Sequence, residues 1–290
     1  MSRNQIIYMV LSIVLIVLAF TRALDGIGSD RTEQALQRAL ATYAIARALN
    51  GVISVAQGTE LAIEPAGIGV VLAPGEILDP VNDLIERFSW VMLASSASLG
   101  VINVLLAISA WIWSSVVMSA GLLLPAYLIW RGKASAGHSA SLIFKLAIVL
   151  VILRFSAPVL VILNDFIYQQ FLSSRYQTAV TELDETRTRV SEINSEQNVD
   201  TDDDTERSLM DQARALYEST TQHIKRKLDM EQNMADLNDA ATNASRAAID
   251  LIVIFVFQTI LLPLVFIWII WHVLKQVINR NLEPGKLLGP

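Results

Sequence analysis

The strongest constraint on this chain is the stretch between Arg87 and Arg131, which contains no charged residue. As a continuous helix it would be about 65 Å long, whereas about 20 apolar residues cross the hydrocarbon core of a bilayer. Three further apolar runs, Ile6–Phe20, Leu142–Leu163 and Ile249–Leu274, have the composition of membrane spans. Charged residues make up 17% of the chain, against about 25% in soluble domains. The sequence therefore predicts a mainly α-helical, polytopic membrane protein.

The basic residues next to the apolar runs predict the orientation. Lys and Arg in short loops mark the cytoplasmic side of a membrane, and here they lie at Arg3, at Arg131 and Lys133, and in the tail from Lys275. Placing these basic residues inside leaves two long outside segments. Residues 25–87 have a net charge of −5, and residues 164–247 have a net charge of −8. That arrangement needs an odd number of crossings between Arg87 and Arg131. We predict four spans in a plasma membrane, most simply a bacterial inner membrane, with both termini in the cytoplasm. Five spans remain the alternative.

This topology divides the chain into eight segments, each with one predicted environment. In order they are an uncleaved transmembrane anchor (1–23), an extracytoplasmic helix and β-hairpin forming a small α+β segment (24–87), a re-entrant or interfacial segment followed by span 2 (88–130), a cytoplasmic loop (131–141), span 3 (142–163), an extracytoplasmic coiled-coil hairpin (164–248), span 4 (249–274) and a cytoplasmic tail (275–290).

Local signals refine the first outside segment. Asp30 and Glu33 form a capping box that predicts a helix start at Asp30. The sequence Pro65-Ala66-Gly67 between β-branched residues predicts a hairpin turn. Asp79-Pro80 then predicts the start of the next helix, because proline is favoured at the first helical position.

The second outside segment carries heptad rows, which are typical of a coiled coil. In the first arm the rows are Leu172, Ala179, Thr186 and Ile193, with Tyr176, Leu183 and Val190; in the second they are Leu209, Leu216, His223, Met230, Leu237 and Ala244, with Ala213, Thr220, Lys227, Met234, Ala241 and Ala248. Thr and Lys weaken these seams, so we expect copies of the chain or another envelope protein to complete them.

Arg154 is the charge that lies deepest in a predicted span. A charge inside the bilayer costs at least about 2.5–3.5 kcal/mol and therefore faces protein or water. Counting nine residues inward from the outer ends of the other spans reaches Gln258 and Ser119, with Ser115 one turn above. We predict a polar layer of these four residues, which is either a water-lined path or a hydrogen-bonded joint between helices.

Pro125, Pro158, Pro263 and Gly100 are candidate hinges. Pro125, Pro158 and Pro263 each remove a helical hydrogen bond and free the carbonyl four residues earlier, namely those of Gly121, Arg154 and Thr259. Residues 88–109 span the membrane, re-enter it or lie at its interface. If they re-enter, Gly100 and Asn103 mark the tip. The hydroxyls that would then line a pore belong to Ser95, Ser96 and Ser98.

The sequence contains no recognisable motif for catalysis or cofactor binding. The chain has no cysteine, three separated histidines and no phosphate-binding glycine loop, so we expect neither an enzyme nor a cofactor. Asp200, Asp202 and Asp204 approach the spacing of a calcium loop, but Thr205 occupies the position that requires glycine. They are better interpreted as a solvated tip. The net charge of −6 argues against nucleic acid as a partner.

Two functions fit these features. The first is a homo-oligomeric ion channel or permeation pathway, lined by the small-residue segment and the layer around Arg154. The alternative is a non-catalytic scaffold or accessory subunit of an envelope complex, which binds its partners through the coiled-coil hairpin. The lipid bilayer and the chain itself are the partners common to both.

Overall fold

The computed structural model describes residues 3–57, 61–63, 70–72, 74–131, 137–197 and 235–279, which are almost entirely helical. The elements are α1 Arg3–Thr21, α2 Ala23–Gln57, β1 Leu61–Ile63, β2 Val70–Leu72, α3 Pro74–Ser109, α4 Ile112–Trp130, α5 Gly137–Ile167, α6 Ser173–Gln197, α7 235–256 and α8 Leu262–Asn279. Two π-helical turns, Tyr168–Leu172 and Phe257–Leu261, join α5 to α6 and α7 to α8.

Six helical stretches among the described residues are long and apolar enough to cross a membrane. The four predicted spans fall within α1, α4, α5 and the continuous stretch from α7 to α8. Parts of α2 and α3 also meet the length and composition of a span. The mainly helical class of the chain is therefore confirmed, and its long apolar helices are consistent with a multi-pass membrane protein. The number of crossings stays a prediction.

The first of two compact units consists of residues 1–39, 94–172 and 255–290. In this unit α4 packs against both α1 and α5, and α5 packs against α8. Its apolar core contains Ala19, Met118, Leu122 and Ala147. Most of the large apolar side chains of α1 and α8 are exposed on the outside of the unit.

Contacts near the helix ends fix the direction of the helices in this unit. The rings of Tyr8 and Phe144 lie 5.5 Å apart, and both residues pack with Ile129. The start of α1, the end of α4 and the start of α5 therefore lie at one end of the bundle. Lys145 Nζ donates a hydrogen bond of 2.7 Å to the carbonyl of Ile278, so the end of α8 lies there too.

The second unit consists of residues 40–93 and 173–254. On α6 the buried residues are Ala179, Leu183, Thr186 and Val190, which are the predicted heptad positions. The Thr186 hydroxyl donates to the carbonyl of Glu182 at 2.8 Å, so it is buried without an unmet hydrogen bond. The coiled coil itself stays a prediction, because residues 198–234 lie outside the described part of the chain.

The predicted start of the first outside helix is wrong. Helix α2 begins at Ala23, and Asp30 lies within it. The break from α1 occurs at Arg22, whose φ of 53° places it in the left-handed region. The Arg22 carbonyl already accepts a hydrogen bond of 2.9 Å from the Gly26 N–H, so Asp25 rather than Asp30 occupies the first turn.

The predicted start at Asp79-Pro80 is also wrong. Helix α3 begins at Pro74, and Pro80 lies inside it. Pro74 suits the first helical position because its fixed φ is already helical. Pro80 has no N–H to donate to the carbonyl four residues earlier, which lies in the first turn of α3. The helix loses one hydrogen bond near its end and continues.

A re-entrant tip at Gly100 and Asn103 is not present. Helix α3 continues through both residues to Ser109, and the chain bends at Ala110 and Trp111 before α4. Gly100 therefore has ordinary helical backbone and provides no visible hinge. The uninterrupted hydrogen bonding of an apolar helix explains this continuity, since lipid offers the backbone no other partner.

The strand residues form a two-stranded antiparallel pair in which Ala62 lies opposite Val71. The predicted turn at Pro65-Ala66-Gly67 lies outside the described residues, and the α+β character of this segment stays a prediction.

Candidate functional site

Arg154 forms a buried ion pair with Asp25. The residues are 4% and 6% exposed, and the pair is bidentate, with Nη1 2.9 Å from Oδ1 and Nη2 2.5 Å from Oδ2. Asp25 lies in the first turn of α2, where the helix dipole also favours a negative charge. The two-oxygen fork matches the planar guanidinium, which is the geometry of the strongest protein ion pairs.

The remaining donors of Arg154 also have acceptors. Nε lies 3.4 Å from Ser115 Oγ, Nη1 lies 3.2 Å from Ser109 Oγ, and Nη2 lies 3.4 Å from the carbonyl oxygen of Ala19. A guanidinium has five N–H donors, and here each one faces an oxygen atom. The side chain thus connects α1, α2, α4, α5 and the end of α3.

The carbonyl that Pro158 leaves without a helical partner is satisfied within the same cluster. Pro158 lies inside α5, and its missing N–H frees the carbonyl of Arg154 as predicted from the sequence. Ser109 Oγ donates a hydrogen bond of 2.7 Å to this carbonyl oxygen. Ser109 therefore binds Arg154 twice, as an acceptor for the side chain and as a donor to the main chain.

A second polar cluster surrounds the π-helical turn at Gln258. The Leu262 N–H bonds to the carbonyl of Phe257, five residues earlier, so in this register Pro263 frees the carbonyl of Gln258. Asn164 Nδ2 donates to that oxygen at 3.3 Å. The prediction that Pro263 frees the Thr259 carbonyl is thus corrected by one residue, because the π turn shifts the hydrogen-bond register.

The single predicted polar layer is divided into two clusters. Asn164 lies ten residues after Arg154 on α5, which is about 15 Å along the helix. Ser115 belongs to the Arg154 cluster, and Ser119 donates to the carbonyl of Ser115 at 2.7 Å. Gln258 belongs to the second cluster, where its carbonyl oxygen accepts from Asn164.

A small cavity adjoins the second cluster. Its polar lining includes Arg31, Thr32, Asn164, Asp165 and Gln258. Arg31 Nη1 lies 3.3 Å from Asp165 Oδ2, whereas Asp165 Oδ1 and Asn164 Oδ1 are buried without a hydrogen-bond partner among the described residues. The cavity is wide enough for a water molecule.

The hydroxyls predicted to line a pore are bonded to protein atoms or packed between helices. Ser95 Oγ lies 3.4 Å from Thr259 Oγ1, and Ser98 donates to its own helix at the Ala94 carbonyl. Ser96 is 7% exposed, and Asn103 is partly buried.

The third proline lies in a close helix contact. Pro125 is buried inside α4, four residues after Gly121. A Cβ atom added at Gly121 would lie 2.6 Å from Leu150 Cδ1 and 3.9 Å from Ala147 Cα on α5. Glycine therefore lets these two helices approach closely, which is a common device in membrane bundles.

Sequence reasoning missed Asp25, Ser109, Asn164 and Asp165. Asp25 follows the first apolar run by a few residues, so the charge pattern assigns it to the first outside segment. The missed signal is the requirement of Arg154 for a counter-charge, since Asp25 is the first carboxylate after the first predicted span. Among the described residues no group of three or more His, Cys, Asp or Glu is placed to hold a metal ion, and Asp200, Asp202 and Asp204 lie outside them.

The long apolar helices, with their exposed apolar faces and buried ion pair, are consistent with a multi-pass α-helical membrane protein. Comparison with known proteins finds no matching family model, curated protein or solved structure.

Proposed function

We propose that this chain is a non-catalytic, homo-oligomeric membrane protein that serves as a scaffold or accessory subunit of an envelope complex. The observation that carries the proposal is that every N–H donor of Arg154 has an acceptor within the protein. All five N–H groups face acceptors, two of them on Asp25. A charge held in this way joins helices and has no free donor for a passing ion.

The placement of the hydroxyls supports the same function. Ser115 and Ser119 donate to main-chain carbonyls of α1 and α4, and Ser95 lies against Thr259. Polar side chains that bond within a bundle stabilise helix association in membranes. This arrangement favours a joint between helices over the permeation pathway, which remains the competing function.

In this proposal the protein lies in a bacterial inner membrane with both termini in the cytoplasm. The start of α1, the end of α4 and the end of α8 lie at one end of their unit, as the distribution of Lys and Arg requires. The partner surface is the solvent-exposed face of α6, which includes Thr181 and Thr188.

The experiment combines conductance with cross-linking. Because the chain has no cysteine, Thr181→Cys and Thr188→Cys each introduce a single thiol, and the buried Leu183→Cys is the matched control. In native membranes the exposed thiols are expected to form specific adducts with another envelope protein, while Leu183→Cys forms none. In planar bilayers the purified protein is expected to show no conductance.

Two results would contradict the proposal. One is the recovery of only self-adducts from both exposed positions. The other is a conductance that Arg154→Leu abolishes, which would show that Arg154 lines a permeation pathway.

A further inference from the structure

The end of the first unit at which α1 begins is basic. Its charged residues in the described part of the chain, which we call the basic end, are Arg3 on α1, Arg131 after α4, Lys145 on α5 and Lys275 on α8. The chain has no Asp or Glu in residues 1–24, 88–164 and 251–282. The helix ends that meet here therefore bring cations and, among the described residues, no carboxylate.

Lys145 is the second charge in the apolar part of α5, and its partner differs from that of Arg154. Arg154 is neutralised by the carboxylate of Asp25. Lys145 Nζ instead donates at 2.7 Å to the carbonyl oxygen of Ile278, one of the last carbonyls of α8, which have no acceptor role within the helix. The negative end of the helix dipole favours a cation there, but a carbonyl carries no net charge. An ammonium has three N–H donors, so this bond leaves Lys145 with its full charge and with further donors.

A second lysine lies on the same stretch of α8, beside an exposed apolar surface. Lys275 is exposed and precedes Ile278 by three residues, a spacing that places two residues on one face of a helix. Leu142 and Leu146, close to the first lysine on α5, are 52% and 55% exposed, and Trp271 on α8 is 64% exposed. Because α5 and α8 pack against each other, the seam between them carries both lysines next to apolar side chains.

We propose that this seam binds an anionic phospholipid, whose phosphate accepts hydrogen bonds from Lys145 and Lys275. The phosphate supplies the negative charge that the Ile278 carbonyl lacks, and charge-assisted hydrogen bonds are the stronger ones in proteins. The exposed leucines and the tryptophan then contact the acyl chains. A zwitterionic lipid fits less well, because its own ammonium adds positive charge to the basic end. The site requires that these helices lie in a bilayer, and it is independent of whether the chain acts as a scaffold.

Native mass spectrometry of the full chain in detergent micelles tests the site, with phosphatidylglycerol and phosphatidylcholine of identical acyl chains as probes. Phosphatidylglycerol should stay bound under conditions that remove phosphatidylcholine. Lys145→Gln and Lys275→Gln should each weaken its binding by about tenfold, which corresponds to one hydrogen bond to a charged group. Lys275 is exposed on α8, so its variant decides the outcome if Lys145→Gln fails to fold.

Arg131→Gln is the matched control, because it removes one charge from the same basic end but not from the seam. The Arg131 guanidinium lies 5.2 Å from the centre of the Tyr127 ring on α4, and its loss should leave the affinity for phosphatidylglycerol nearly unchanged. Equal retention of the two lipids would overturn the proposal. So would equal losses in Arg131→Gln and Lys275→Gln, which would indicate diffuse attraction, or displacement of the lipid by an equal concentration of inorganic phosphate, which would indicate a site for the ion alone.

Discussion

Arg154 and Asp25 are almost fully buried, at 4% and 6% exposure, so each depends on the other for its stability. Removing one partner of a buried pair leaves an uncompensated charge and typically costs about 3–5 kcal/mol, whereas replacing both by apolar residues is far milder. The five hydrogen bonds of Arg154 add to this dependence, because each acceptor would also lose its donor.

We therefore expect strong coupling between the two residues. Arg154→Leu or Asp25→Leu alone should lower the free energy of unfolding by about 3–5 kcal/mol, and the double variant should lose much less than the sum. Unfolding in mixed micelles by increasing denaturing detergent measures both. Arg31→Gln is the control, because the half-exposed Arg31 pair with Asp165 should contribute under about 1 kcal/mol. Additive losses would contradict the coupling.

Within elements, the prolines show how a helix defect is repaired by its neighbours. Pro158 frees the carbonyl of Arg154, and Ser109 Oγ donates to it at 2.7 Å. Pro263 frees the carbonyl of Gln258 in the π register, and Asn164 Nδ2 donates to it at 3.3 Å. The sequence predicts the freed carbonyl of Arg154 but places the second one at Thr259, one residue from Gln258. It predicts neither donor, since the donors come from other helices.

The repair of the α5 defect is testable by coupling its two parts. Ser109→Ala should cost about 1–3 kcal/mol, because it leaves a buried carbonyl unmet. In a Pro158→Ala background residue 158 regains its N–H and bonds that carbonyl directly, so the same Ser109→Ala change should cost less. Unfolding free energies of the four variants give the coupling, and an equal cost in both backgrounds would show that Ser109 acts only through the Arg154 side chain.

Two helix glycines should respond in opposite directions. Gly100 has open space where a Cβ would be added, whereas Gly121 lies against Leu150 and the Ala147 backbone. Gly100→Ala is expected to stabilise by about 0.5–1 kcal/mol, because glycine weakens a helix interior. Gly121→Val should destabilise by about 1–3 kcal/mol through overpacking. Thermal midpoints measure both, and a loss of stability in Gly100→Ala would reinstate a hinge at Gly100.

At the scale of the whole molecule, the sequence and the helix contacts agree on which ends share a side. Arg3 begins α1, Arg131 follows α4, and Asn279 ends α8. The contacts of Tyr8, Phe144 and Lys145 bring these ends together within their unit.

The topology is tested with single cysteines in intact cells. Arg3→Cys, Ser135→Cys and Asn279→Cys should react with a membrane-impermeant maleimide only after permeabilisation, whereas Thr188→Cys should react before it. The contrast follows from the positive-inside rule. Labelling of Arg3→Cys and Ser135→Cys on opposite sides would contradict four spans and favour five.

The sequence by itself determined the helical class, the presence of long apolar helices and the buried heptad positions of α6, because these depend on composition and hydrophobic periodicity along one helix. It also singled out Arg154, since a charge in an apolar run is costly wherever it lies. Only the tertiary structure decided that Asp25 pairs with Arg154, that the polar layer is two clusters, and that Asn164 donates to the carbonyl of Gln258. Those outcomes depend on the register between helices that are far apart in the chain, which no local pattern encodes.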